Sequence, residues 1–125
     1  MVDTGVLCSK LDIPAGTVLH TPHSFYGFKG ALSENYIMQA LVANGINPYY
    51  WTSPGKAEVD FVFQDRQGNI IPLEAKSAEN VRSKSLRSYC DIYKPEYSVR
   101  VSGRNFGFEN GIRSIPLYAV FCLKV

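Results

Sequence analysis

Between residues 58 and 77 the chain alternates apolar and polar positions twice, once on each side of a polar interruption. In Glu58-Val59-Asp60-Phe61-Val62-Phe63, the side chains of Val59, Phe61 and Phe63 fall on one face of a strand. In Ile70-Ile71-Pro72-Leu73-Glu74-Ala75-Lys76-Ser77, the same holds for Ile71, Leu73 and Ala75. The intervening Gln64-Asp65-Arg66-Gln67-Gly68-Asn69 carries turn chemistry, so the stretch predicts a hairpin. A turn centred near Gln67 sets position 60 opposite 74 and position 58 opposite 76. That register joins the apolar positions into one surface, and a slip of one residue mixes them with polar ones. Glu58, Asp60, Glu74 and Lys76 then share the other face at one end of the hairpin. Pro72 cannot donate to a ladder and is expected at a strand edge or a bulge.

Helical spacing predicts a first helix over Phe28–Asn44, with Ala31, Leu32, Ile37, Met38, Leu41 and Val42 as its apolar stripe and Asn44-Gly45 as its stop. Positions 31, 34, 38 and 41 lie along one side, so Glu34 interrupts that stripe with a carboxylate. Its plain reading is a rim position reaching solvent. Tyr49–Thr52 reads as an aromatic strand, with Trp51 and both tyrosines taken for packing residues. A second helix is expected over Arg82–Lys94, closed by Pro95, with Leu86, Tyr89, Cys90 and Tyr93 inward. Tyr97–Ser102 alternates as a half-buried strand, Gly103–Gly111 reads as a loop, and Ile115–Leu123 as a buried closing strand. Residues 1–26, broken by Pro14, Gly16 and Pro22, read as an extension that wraps the domain formed by 27–125.

Composition narrows this picture only a little. With 125 residues and 46% hydrophobic content, the chain makes one globular domain with one core. No apolar run approaches the roughly 18–20 residues of a membrane span, and no signal-peptide pattern opens the chain, so a cytoplasmic location is expected. The net charge of +2 is too small to indicate nucleic acid by itself, although sequestering three acids at one site leaves a more basic surface. Cys8, Cys90 and Cys122 are few and far apart, as for reduced thiols. His20 and His23 could clip a metal but lack partners to complete a site.

The chemistry sits on the hairpin. Carboxylates directly across a ladder hold their Cβ atoms about 4.5–5.5 Å apart, which is unfavourable unless a proton or cation is shared. Two acids beside a lysine on one face therefore point to a divalent-metal site with an activating cation.

Asp60 followed by Glu74-Ala75-Lys76 resembles the PD-(D/E)XK nuclease superfamily, with Val59 standing where the name has proline. Further words occur in order: Lys29-Gly30-Ala31-Leu32-Ser33-Glu34-Asn35, Tyr49-Tyr50-Trp51, Ala57-Glu58-Val59-Asp60-Phe61, Ile71-Pro72-Leu73-Glu74-Ala75-Lys76-Ser77 and Lys84-Ser85-Leu86. Together they resemble the C-terminal domain of unknown function in a family of prokaryotic AAA+-type ATPases, with Ala75 where valine is commoner. The resemblance implies an α/β fold of the restriction-endonuclease-like type, an αβββαβ core with a mixed central sheet flanked by helices. It implies metal-dependent hydrolysis of nucleic-acid phosphodiester bonds, DNA being the favoured substrate. Mg²⁺ or Mn²⁺ would be held by Asp60, Glu74 and the Ala75 backbone carbonyl, with Glu34 as a further ligand or a holder of water, and Lys76 would act on water or phosphate. Lys56, Arg82, Lys84 and Arg87 are the candidate phosphate contacts, each also readable as a solvated charge. Relatives carry an ATPase module upstream, whereas this chain has no G-x-x-x-x-G-K-[ST] and reads as a C-terminal piece. Two other readings stay open: a nuclease-like module that binds nucleic acid or a partner without cutting, and a structural appendage that positions an ATPase or self-associates as a homo-oligomer.

Overall fold

A computed structural model describes residues 3–16, 26–76 and 83–125. His20, His23 and Arg82 lie outside the described residues. The elements are α1 (Thr4–Lys10), α2 (Tyr26–Ala43), β1 (Tyr49–Thr52), β2 (Glu58–Gln64), β3 (Ile70–Ala75), α3 (Lys84–Tyr93), β4 (Ser98–Ser102), β5 (Gly107–Glu109), β6 (Ile112–Pro116) and a closing 3₁₀ helix (Leu117–Cys122). From α2 to β4 they run in the order helix, three strands, helix, strand.

The strands form one mixed sheet in the order β1-β2-β3-β4-β6-β5. β1, β2 and β3 are antiparallel neighbours, β4 runs parallel to both β3 and β6, and β5 closes the far edge antiparallel to β6. The central hairpin has the expected register: Phe61 pairs with Leu73, Val62 with Pro72, Phe63 with Ile71 and Gln64 with Ile70. Its turn is tied by Asp65, whose carboxylate accepts from the backbone N–H groups of Gln67 and Asn69 and from the Asn69 amide. Gly68 takes φ +88°, where a side chain would be strained. Pro72 lies in an internal strand, one residue before the ladder with β4 begins at Leu73.

The two faces of the sheet are covered differently. Phe61, Phe63, Ile71, Leu73, Val99, Val101 and Ile115 turn to a core shared with Ile37, Ala40 and Leu41 of α2 and with Ala119, Val120 and Leu123 at the chain end. Helix α3 covers the opposite face. Its Cys90 Sγ lies 3.1 Å from Ser98 Oγ, and Ser98, Arg100 and Glu74 share that face because Glu74 pairs with Arg100. Leu86 and Tyr89 anchor α3 there, and Lys94 ends it in the left-handed region at φ 46°. Trp51 meets Tyr89 edge-on at 5.2 Å and Tyr93 at 6.0 Å between ring centres, and its indole N–H donates to the Tyr93 hydroxyl.

The structure corrects several sequence expectations. Thr4–Lys10 is a helix rather than part of a wrapping loop, because Asp3 Oδ1 accepts from the N–H groups of Gly5 and Val6 and caps its first turn. The Asn35 amide donates to Thr4 Oγ1 and links this helix to α2. On α2 the inward side is Leu32, Ile37, Ala40 and Leu41, whereas Ala31 and Val42 are exposed, so Glu34 rims the buried stripe rather than interrupting it. Tyr49 and Tyr50 are exposed on the edge strand β1, and of the aromatic trio only Trp51 packs as expected. The region 103–111 contains β5, which turns into β6 through Asn110-Gly111 with both residues at positive φ. The expected strand Ile115–Leu123 is strand only to Pro116. Beyond it Ala119, Val120 and Leu123 reach the core while Tyr118 and Phe121 stay outside, a spacing near three that suits a 3₁₀ helix. Gly45, at φ 75°, ends α2 as expected, and the Asn44 amide donates to the carbonyls of Phe121 and Leu123, fastening the chain end to that helix.

Among the described residues, no helix is long and apolar enough to cross a membrane.

Candidate acidic and lysine site on the central hairpin

Asp60 lies on β2 one residue beyond the pair of Phe61 with Leu73, so the register continues to place it opposite Glu74. The Ala75 N–H donates to Asp60 Oδ2 at 2.7 Å, which draws the aspartate toward the end of β3. The Lys76 N–H donates the other way, to the Val101 carbonyl on β4 at 2.8 Å. In a trans peptide the carbonyl opposes the following N–H, so the Ala75 carbonyl faces the Asp60 side. One strand end thus presents a carboxylate from β2, a carboxylate from β3 and a backbone carbonyl between them.

Glu74 is only 3% exposed. Its Oε1 pairs with Lys76 Nζ at 3.0 Å, while Oε2 is buried with no hydrogen-bond partner among the described residues. Burial raises the Glu74 carboxyl above the usual range first; Lys76 pulls it back, Asp60 adds to the rise and Arg100 opposes it. Asp60 is raised chiefly by desolvation, against the Ala75 hydrogen bond and the Lys76 charge. Glu34 keeps an exposed position on α2, yet its carboxyl is also raised, by desolvation, then by the Asp60 charge, with Lys76 opposing. All three acids therefore sense one another or the same lysine. Among the described residues, no three His, Cys, Asp or Glu side chains converge closely enough to share a metal ion. The close set is Asp60, Glu74, the Ala75 carbonyl and Lys76, with Glu34 at longer electrostatic range.

Of the candidate phosphate contacts, Lys56 occupies the β1–β2 turn, exposed and at φ 70°, and Lys84 is exposed in the first turn of α3. Arg87 lies one turn further along α3, where it lines a cavity with Arg100 and Arg104. Sequence reasoning missed these last two. The alternation of Tyr97–Ser102 placed Arg100 on a polar face, but which strand lay beside it depended on the parallel β3–β4 pairing.

Since all three carboxyls are raised in the fold, protonation favours the folded state. Their contribution is complete below the unfolded carboxylate range, near about 4, and is lost as pH rises through the higher folded values. In EDTA, the melting temperature of Asp60→Asn minus that of the wild type should be larger at pH 7.5 than at pH 5. Comparing the two proteins at each pH cancels groups they share. Asp65, lowered by its turn hydrogen bonds, acts at more acid pH than this window. An identical difference at both pH values would remove Asp60 from the set of desolvated acids.

The fold and this site define a mixed α/β domain with two acids and a lysine gathered at the end of a central hairpin. The chain belongs to the DUF4143 family, a domain of unknown function, whose model matches residues 29–120. No curated protein matches the sequence. A solved structure that aligns with it is the refined half-complex from a tetradecameric assembly of Thermococcus gammatolerans McrB AAA+ hexamers with bound McrC. The identity is 20% over 70% of this chain, with a TM-score of 0.48, and this chain spans 27% of that chain's length.

Proposed function

We propose that the domain is a divalent-metal-dependent phosphodiesterase of the PD-(D/E)XK type acting on nucleic acid. The observation that carries this reading is the buried, unpartnered Glu74 Oε2 on the face of Asp60, beside a lysine already bound to Glu74 Oε1. A buried anionic oxygen without a donor is costly, and a cation answers it. Asp60, Glu74 and the Ala75 carbonyl form an all-oxygen set that fits Mg²⁺ or Mn²⁺, with Glu34 supporting from α2. When bound, the cation supplies Lewis-acid polarisation of the phosphoryl group. The chain's own residues do the rest. Lys76 orients the attacking water and neutralises charge that develops on the phosphoryl oxygens. Glu74 holds Lys76 in place, and the Ala75 N–H fixes the rotamer of Asp60.

The test is incubation of the purified chain with labelled DNA and RNA, single- and double-stranded, in Mn²⁺ or in EDTA. Scission with Mn²⁺ and none with EDTA is the expected result. A second reading is favoured by the absence of three converging ligand side chains among the described residues: a nuclease-like module that binds nucleic acid or a partner without cutting it. Nucleic-acid binding without scission in every condition would replace the first reading by the second. An upstream ATPase module of the kind that full-length relatives carry is compatible with either.

A further inference from the structure

A polar cavity lies beside the acidic site, between α3 and the β4–β6 part of the sheet, with a volume of about 420 Å³. Arg87 reaches it from α3, Arg100 from β4 and Arg104 from the segment after β4, while Ser83, Ser98 and Ser114 add hydroxyl groups. Two acids, Asp91 and Glu109, also line it, both exposed, so positive charge exceeds negative by one.

The inner wall has unmet hydrogen bonds. Arg100 Nε and Ser83 Oγ are both buried and lack a partner among the described residues. Leaving such donors unpaired is costly, and more so for a charged group. Arg100 stands beside Glu74 in the parallel ladder, yet Glu74 spends Oε1 on Lys76 and leaves Oε2 unpartnered. The two neighbours thus face different tasks, the glutamate a cation and the arginine an oxyanion. A guanidinium offers its N–H groups as a planar fork that matches phosphoryl oxygens, and a second arginine with adjacent hydroxyls completes a cradle.

We infer that this cavity holds a phosphate group of a nucleic-acid backbone, on the strand next to the carboxylates. The inference rests on the phosphodiesterase reading for the identity of the polymer, not for the anion. β4 lies about 4.8 Å from β3, so a chain passing the acids can place a neighbouring phosphate on Arg100 and Arg87. The arginines then fix which bond of the strand lies at Glu74. They bind by charge and geometry and make no claim on base identity.

The test uses the full chain in EDTA, without turnover. Inorganic phosphate is titrated by calorimetry, and a labelled single-stranded DNA is bound at graded NaCl and followed by anisotropy. Arg100→Gln should weaken phosphate binding by about tenfold or more and lower the salt slope of DNA binding by about one. Arg87→Gln, at an exposed position on α3, should show the same direction more weakly. Lys10→Gln, an equal charge change on α1, should leave phosphate binding unaltered. Wild-type protein that binds no phosphate, or that binds it equally well in both arginine variants, overturns the inference. Phosphate binding lost in the variants with DNA binding unaffected would assign the cavity to a free phosphate and overturn the backbone assignment. Phosphate binding in a protein that never cuts nucleic acid sinks the phosphodiesterase reading and leaves the anion site standing. Cutting by a protein that binds no phosphate does the reverse.

Discussion

Lys76→Ala is expected to lower Mn²⁺-dependent cleavage by about 10²–10³-fold, the usual cost of removing one group that stabilises transition-state charge. The same variant should still show a rise in melting temperature when Mn²⁺ is added, since the lysine holds no metal. The division follows from the 3.0 Å contact between Nζ and Glu74 Oε1. Removing the ammonium frees a second glutamate oxygen, and Glu74 with Asp60 retains its place on the strand pair. Without its main opposing influence, the Glu74 carboxyl should move further up, so the Mn²⁺ effect on stability should become steeper with pH than in wild type. Glu74→Ala should behave otherwise and lose both cleavage and the Mn²⁺-induced rise. Cleavage by Lys76→Ala at the wild-type rate would falsify the assigned role of the lysine. A Mn²⁺ response that survives Glu74→Ala would move the cation elsewhere.

Leu73→Ala should cost about 2–5 kcal/mol, as for other fully buried leucines. At about 4 °C per kcal/mol for a domain of this size, the melting temperature should fall by roughly 8–20 °C. Leu73 is 0% exposed and lies in the core shared by α2 and the chain end, whereas Glu74, one residue on, faces α3. The truncation therefore removes packing on one face and leaves the acids on the other untouched. Ile70→Ala is the control: the residue is on the same strand but 49% exposed, and its change should stay within about 0.5 kcal/mol. Equal losses from the two variants would mean that the hairpin faces are not assigned correctly.

The hairpin was legible because its two strands carry the same period on both sides of a recognisable turn. The turn near Gln67 set which positions oppose each other, alternation excluded a slip of one residue, and the pairing of Asp60 with Glu74 followed. α2 was legible in extent but not in rotation: Ala31 and Val42 are apolar yet exposed, so counting apolar residues turned the helix too far toward Glu34. β5 escaped because Gly107–Glu109 is short and exposed throughout, although Asn110-Gly111 is a hairpin turn that could have disclosed it. In the chain end, Ile115 to Leu123 is apolar almost throughout, and such a run does not by itself distinguish a strand from a tight helix. α1 depends on a single capping aspartate and buries no residue, leaving no periodic signal to read. The arginine cavity was the least accessible. Arg87 and Arg100 belong to different elements, and their proximity exists only once β4 is laid parallel to β3.

That parallel pairing also gives the domain a history. The β2–β3 hairpin closes over a few residues, and β5 meets β6 through two, so both can form from local contacts. β4 reaches β3 only after the chain has travelled through α3, and contacts of such separation form slowly because loop closure precedes their reward. Asp60 and Glu74 therefore lie on a local unit, and Arg100 joins them only through a non-local pairing. The paired carboxylates thus depend on contacts within one hairpin, whereas the cradle beside them exists only when the sheet is whole.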